Sequence, residues 1–168
     1  MSPVIVMGVS GSGKTLVGRL LAEHLGADFI DADDLHSVAN KAKMNSGMPL
    51  TDEDRAPWLR AVALAARDVH EQGRNVVVAC SALRRVYRDL LREASGDLIF
   101  VHLDGAREVL AARLGARVGH FMPAALLDSQ LGTLELLQDD ERGLVVGVDG
   151  APQEIVAEIV RGLQNRAN

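Results

Sequence analysis

The sequence predicts an α/β domain built on a parallel sheet. Three observations carry that prediction. Apolar strand-like runs alternate with helix-period stretches along the chain, the run Val76-Val77-Val78-Ala79 is apolar at every position, and a glycine-rich loop joins the first run to the first helix. Alternating strand and helix is the pattern of a sheet covered by helices on both faces, and a strand buried on both faces has no polar alternate positions.

Each element has its own signal. Val4-Ile5-Val6-Met7 is the first strand, and Leu16, Val17, Leu20, Leu21 and Leu25 recur at helical spacing until Gly26 stops the helix. Ala27 to Asp31 reads as a short strand ending in acidic residues, followed by helical stretches from about Leu35 to Met44 and from Asp52 to Gln72. Thr51 with Asp54 three residues later resembles a capping box, and Gly73 suits the position after the helix end. A strand over 75–80, a helix from Arg84 to Glu93, a strand over 98–103 and a helix near Arg107 to Leu114 come next. Pro123 opens a helix carrying Leu126, Leu127, Leu131 and Leu134; Leu144 to Val148 is the last strand, and Pro152 starts a terminal helix. Five strands, each followed by helix, give a doubly wound parallel five-stranded sheet flanked by helices. With no repeat, low-complexity tract or linker, residues 1–168 read as one domain. The stretch from about 115 to 123 is the least core-like interior segment and reads as a mobile lid.

Length and composition fit that picture. A chain of 168 residues buries about 70% of the surface its unfolded form exposes, enough for a core without staples. A net charge of −5 argues against a broad nucleic-acid footprint. The single cysteine, Cys80, excludes an internal disulfide and sits among apolar neighbours, consistent with a reduced thiol in the cytosol. No charged leader precedes an apolar core and no apolar run approaches membrane-spanning length, so a soluble, unprocessed, cytoplasmic chain is expected.

The loop after the first strand is the most specific signal. Gly8-Val9-Ser10-Gly11-Ser12-Gly13-Lys14-Thr15 matches the phosphate-binding pattern GxxxxGK(S/T) in the required strand-loop-helix context. Its glycines let the backbone turn with φ > 0 and bring the amides of Ser10 through Gly13 against phosphate oxygens. Lys14 supplies a point charge for the β- and γ-phosphates, and the Thr15 hydroxyl suits a Mg²⁺ ligand. These features point to a nucleoside triphosphate with Mg²⁺.

Ligands of doubly wound sheets sit at the carboxyl edge, where the second strand brings Asp31 and Asp33. An extended Asp-x-Asp places both side chains on one side of the strand. Asp33 is expected to face an acceptor hydroxyl, with Asp31 holding metal-bound water and Asp34 capping the next helix. On the lid, Arg113 and Arg117 lie four apart and can reach the nucleotide together, with Arg117 as the phosphate contact.

Beyond these motifs the chain resembles the gluconate kinase family. The resemblance rests on Asp31-Ala32-Asp33-Asp34-Leu35-His36, on Asn40 and Lys43-Met44, and on the run from Gly47 to Arg55 followed by Pro57-Trp58-Leu59. It continues through Cys80-Ser81-Ala82-Leu83-Arg84-Arg85, Tyr87-Arg88-Asp89-Leu90-Leu91-Arg92, Gly119-His120-Phe121-Met122-Pro123 and Leu126-Leu127-Asp128-Ser129-Gln130-Leu131, in order, from about Val4 to Pro152. It implies a P-loop kinase fold akin to shikimate kinase, ATP-dependent phosphorylation of the 6-hydroxyl of D-gluconate, and commonly a homodimer. Two positions depart from the family's usual proline: Ser37 after the histidine and Leu136 after Thr-Leu-Glu. Both changes bear on loop stiffness and remove no charged group.

A linear polyol with one carboxylate needs a cation at one end and hydrogen-bond partners along its length. Arg55 is the first candidate for the carboxylate, because its planar fork meets two oxygens at once. Arg84, Arg88, Lys43 and His36 are further candidates, Ser81 could meet hydroxyls, and His120 could close over substrate. Alternatives are a related kinase for shikimate or another sugar acid, and a non-catalytic nucleotide-binding module. A switch GTPase lacks its guanine element, since Asn40-Lys41-Ala42-Lys43 has no aspartate.

Overall fold

The computed structural model describes residues 1–116 and 124–167. Its centre is strand β1, Val4–Met7, with all four side chains buried. Successive residues of a strand face opposite ways, and this run is apolar on both sides. Val4 and Val6 therefore enter one core with Leu21, Val101 and Ile159, while Ile5 and Met7 enter the other with Leu59, Val62 and Phe100. Each such aliphatic side chain contributes about 1.5–3 kcal/mol of burial.

Strands β2 (Asp28–Asp31), β3 (Val76–Ala79), β4 (Ile99–Asp104) and β5 (Gly143–Gly147) complete a five-stranded parallel sheet in the order β2-β3-β1-β4-β5. Val4 stands opposite Val77 on one side and Ile99 on the other. The chain leaves β1 toward β2 and β3, then crosses over to β4 and β5. The reversal of winding opens a crevice at the carboxyl end of β1.

Helices cover both faces. Helix α1, Lys14–Leu25, packs beside the last helix, α7, Pro152–Ala167. The other face carries α3, Asp52–Glu71, against α4, Arg85–Ser95. Helix α3 begins with the expected capping box, Thr51 accepting from the Asp54 amide and Asp54 from the Thr51 amide. Helices α5, Arg107–Gly115, and α6, Ala124–Thr133, flank residues 117–123.

The stretch expected as one helix from Leu35 to Met44 is divided. A 3₁₀ turn, Ala32–Leu35, is followed by a break at His36 and Ser37 and then by α2, Val38–Asn45. The Ser37 hydroxyl accepts from the Asn40 amide at 3.1 Å, so the residue standing where the family usually has proline caps this helix. Asp31 caps the 3₁₀ turn by accepting from the Asp33 amide, and the helix expected to be capped by Asp34 is capped by Ser37 instead.

Candidate active site

The loop between β1 and α1 is shaped by close approach. At Gly8, with φ +148°, a Cβ would lie 2.8 Å from the Leu103 carbonyl oxygen; at Gly11, with φ +85°, it would lie 2.9 Å from that of Leu110. Neither position admits a side chain. No side chain caps the first turn of α1, which leaves its amides and positive dipole end directed at the crevice. Lys14 curls over the loop, its Nζ donating to the Val9 carbonyl at 3.1 Å.

Strand β2 supplies the facing carboxylates. Thr15 Oγ1 donates to Asp31 Oδ2 at 3.1 Å, while Asp31 Oδ1 accepts from the Asp33 amide at 3.1 Å. A hydroxyl and a carboxylate thus meet at the end of the phosphate loop, a donor pair that fits a hard cation completing its shell with water and phosphate oxygens. Asp33 lies beyond the strand, in the 3₁₀ turn, so the extended Asp-x-Asp geometry does not hold. Partial desolvation, with the neighbouring Asp31 charge, raises its carboxyl above the ordinary 3.8 despite the opposing pull of Lys14 and His36.

The turn bearing Asp33 is pinned from α3. Trp58 Nε1 donates to the Ala32 carbonyl at 2.7 Å, and the His36 ring stacks on Trp58 with centroids 4.0 Å apart. Burial lowers the His36 pKa, with Arg55 and Lys41 adding to the shift against Asp33. Trp58 is a core residue, as its place in a helical stretch suggests.

Beside the loop lies a cavity of about 440 Å³ bordered by Asp52, Arg55, Ser81, Arg84, Tyr87 and Gln130, among others. Tyr87 is its hub. Its hydroxyl donates to Asp52 Oδ1 at 2.6 Å and accepts from Arg55 Nη1 at 3.4 Å; the Arg55 and Arg84 guanidinium carbons each lie 5.6 Å from its ring centroid. Arg84 Nη1 donates to Asp52 Oδ2 at 2.7 Å, and Arg55 Nη1 also donates to the Leu50 carbonyl at 2.5 Å. The hydrogen bond from Tyr87 is the largest influence on Asp52 and, with the hydrogen bond and charge of Arg84, holds it below its ordinary pKa against desolvation. Among the described residues, the charged ones bordering the cavity are two arginines and one aspartate, so this wall carries a net positive charge suited to an anion. Cavity and loop are joined, since the Gly8 amide donates to the Ser81 carbonyl at 3.3 Å. The next residue, Ala82, is buried with φ +45°, a left-handed conformation unusual for a residue with a Cβ.

Two expected substrate contacts belong elsewhere. Arg88 is wholly buried: its Nε and Nη2 meet both oxygens of Glu141 at 2.7 and 2.9 Å, and its Nη1 donates to the Ala82, Leu83 and Glu135 carbonyls. A fully satisfied guanidinium inside the protein fixes backbone and leaves no fork for a ligand. Lys43 is paired with Asp54 at 2.5 Å, tying α2 to the start of α3, and does not border the cavity. Arg113 donates to the Val148 carbonyl, and its Nη1 lies 4.0 Å from the Cβ position of Gly13, so it stands between the phosphate loop and the turn after β5. Arg117 and His120 lie outside the described residues. Sequence reasoning missed Asp52, Tyr87 and Gln130 as cavity residues. Tyr87 carried a signal, being the chain's one tyrosine, three residues after Arg84.

Comparison with known proteins agrees with this architecture. The family model described as shikimate kinase matches residues 10–163. A probable gluconokinase of Xenopus tropicalis is 46% identical over 171 residues, spanning 93% of this chain and 90% of that protein. The gluconokinase of Gluconobacter oxydans (strain 621H) is 47% identical over 161 residues, spanning 96% and 90%. The crystal structure of a gluconokinase from Sinorhizobium meliloti 1021 superposes with a TM-score of 0.87 at 48% identity, covering 99% of this chain and 93% of that one. With phosphate loop, acidic turn and arginine-lined cavity in one crevice, this chain belongs to the gluconokinase family, on a P-loop domain of the shikimate kinase type.

Proposed function

We propose that the chain transfers the γ-phosphoryl group of ATP to the 6-hydroxyl of D-gluconate, giving 6-phospho-D-gluconate and ADP. The observation that carries this reading is the stitched junction of the phosphate loop and an anion-suited cavity at Gly8 and Ser81. In this reading the loop amides from Gly11 to Gly13 and Lys14 hold the triphosphate, with Ser10 at the edge of the loop and Arg113 at the nucleotide's far side. Arg55 receives the gluconate carboxylate, Arg84 and Ser81 meet oxygens along the chain of hydroxyls, and His36 supports the turn that presents Asp33. Asp33 accepts the proton of the 6-hydroxyl as O6 forms its bond to the γ-phosphorus and the bridging oxygen leaves with ADP. A raised carboxyl pKa suits that task, because it makes the ionised form a better proton acceptor. Mg²⁺ held by Thr15 and through water by Asp31 would neutralise charge on the phosphates.

The reading also takes residues 1–168 as one domain, with Arg117 and His120 acting from a lid over 115–123, in a cytoplasmic homodimer. The family resemblance supports the homodimer, and sedimentation velocity tests it. The reaction itself is tested by following ADP release with D-gluconate, other aldonates and shikimate in turn. Turnover with gluconate well above the rest is expected; turnover with shikimate and none with gluconate would overturn the assignment.

A further inference from the structure

The phosphate loop has a partner that neither nucleotide nor acceptor chemistry called for. The Ser10 amide donates to Gln130 Oε1 at 2.8 Å, a bond that joins the loop to α6 across 120 residues of sequence. Gln130 also borders the acceptor cavity. A backbone N–H can only donate, so the arm of the Gln130 amide that faces the loop is its oxygen. The amide is planar, so its NH₂ group occupies the other arm and is not the group turned to Ser10.

Helix α6 is anchored well enough to hold that geometry. Arg107 binds both carboxylate oxygens of Asp128 at 2.5 and 2.9 Å, Leu127 is buried, and the Glu135 amide donates to the Leu83 carbonyl at 2.8 Å. Ser10 lies two residues from Gly8, whose amide is bonded to Ser81, so the loop touches the cavity wall on both sides of Val9.

We propose that Gln130 is a positioning residue that couples the two substrates: its oxygen fixes the Ser10 end of the phosphate loop while its NH₂ donates to a hydroxyl of the acceptor. This rests on the gluconokinase reading. A side chain shared between loop and acceptor makes binding of either substrate order the group that the other uses, so each tightens the other by the same factor.

The test is isothermal titration of a non-hydrolysable ATP analogue with and without saturating D-gluconate, alongside steady-state kinetics. Wild-type protein is expected to bind the analogue at least about fivefold more tightly with gluconate, the low end of ordinary coupling. Gln130→Leu removes both arms, and Gln130→Glu keeps an oxygen for Ser10 but removes the donor. Both are expected to reduce the coupling factor to about 1 and kcat/KM for gluconate by about tenfold, the worth of one hydrogen bond. A wild-type factor of 1, or full coupling retained in either variant, overturns the role of Gln130. Loss of thermal stability and of nucleotide affinity with coupling unchanged would make Gln130 a mere fastener of α6 and overturn it as well. Wild-type protein that does not phosphorylate gluconate overturns the functional reading, a distinguishable result.

Discussion

Glu141→Gln removes one charge from the most buried polar cluster in the protein. Arg88 and Glu141 have fully buried side chains, and the Arg88 donors are spent on the two Glu141 oxygens and the carbonyls of Ala82, Leu83, Glu135 and Leu136. Neutralising the carboxylate leaves a guanidinium in the interior without its counter-charge, which costs about 3–5 kcal/mol. At about 2–4 °C per kcal/mol for a chain of this size, the midpoint should fall by roughly 6–20 °C. Replacing the pair by Arg88→Met with Glu141→Leu should restore little, because four backbone carbonyls would lose their donor at about 1 kcal/mol each. Acid reinforces the test. Burial alone would raise the Glu141 carboxyl, but the hydrogen bonds from Arg88 and Gln138 outweigh it and the pKa lies below the ordinary 4.5. Its stabilisation is therefore complete above about pH 4.5 and lost as pH falls through the folded value. Melts followed by circular dichroism should show the wild-type and Glu141→Gln midpoints converging below pH 4.5. A midpoint at pH 7 within about 2 °C of wild type would refute the reasoning.

Asp33→Asn should lower kcat by on the order of 10² with little change in KM for ATP, if the carboxylate accepts the proton; steady-state kinetics with an unchanged kcat would make Asp33 structural. Arg55→Lys should raise KM for gluconate by on the order of tenfold, since a point charge cannot keep a bidentate fork. An unaltered KM would move the carboxylate elsewhere. Cys80 is buried with its pKa pushed up to about 12, so a colourimetric thiol reagent at pH 8 should titrate it only after unfolding in guanidinium.

The fold was legible where local signals agreed with burial. The all-apolar run at Val76 to Ala79 could only be a strand buried on two faces, and Thr51 with Asp54 marked the start of α3 to the residue. The break between the 3₁₀ turn and α2 was not, because Asp31, Asp34 and Ser37 are all good caps and only the chain's path past Trp58 decides among them. In the site, the phosphate loop is a contiguous string, so its residues could be read directly. Arg84 and Arg88 look alike in sequence, four residues apart, yet one precedes α4 and borders the cavity while the other lies within the helix and points inward to Glu141. Glu141 comes more than fifty positions later, after β4 and two helices, and nothing local to either residue announces the pairing. Gln130 escaped for the same reason, since its partner is a backbone amide and leaves no mark in composition.

The left-handed alanine at position 82 has a bearing on how the enzyme fails. Its carbonyl is drawn inward by Arg88, so the floor beneath the acceptor stays in its unfavourable shape only while that interior clasp is closed. Once the clasp opens, the floor can spring to a relaxed path with the sheet still intact. Heat should therefore silence turnover several degrees before the secondary structure melts.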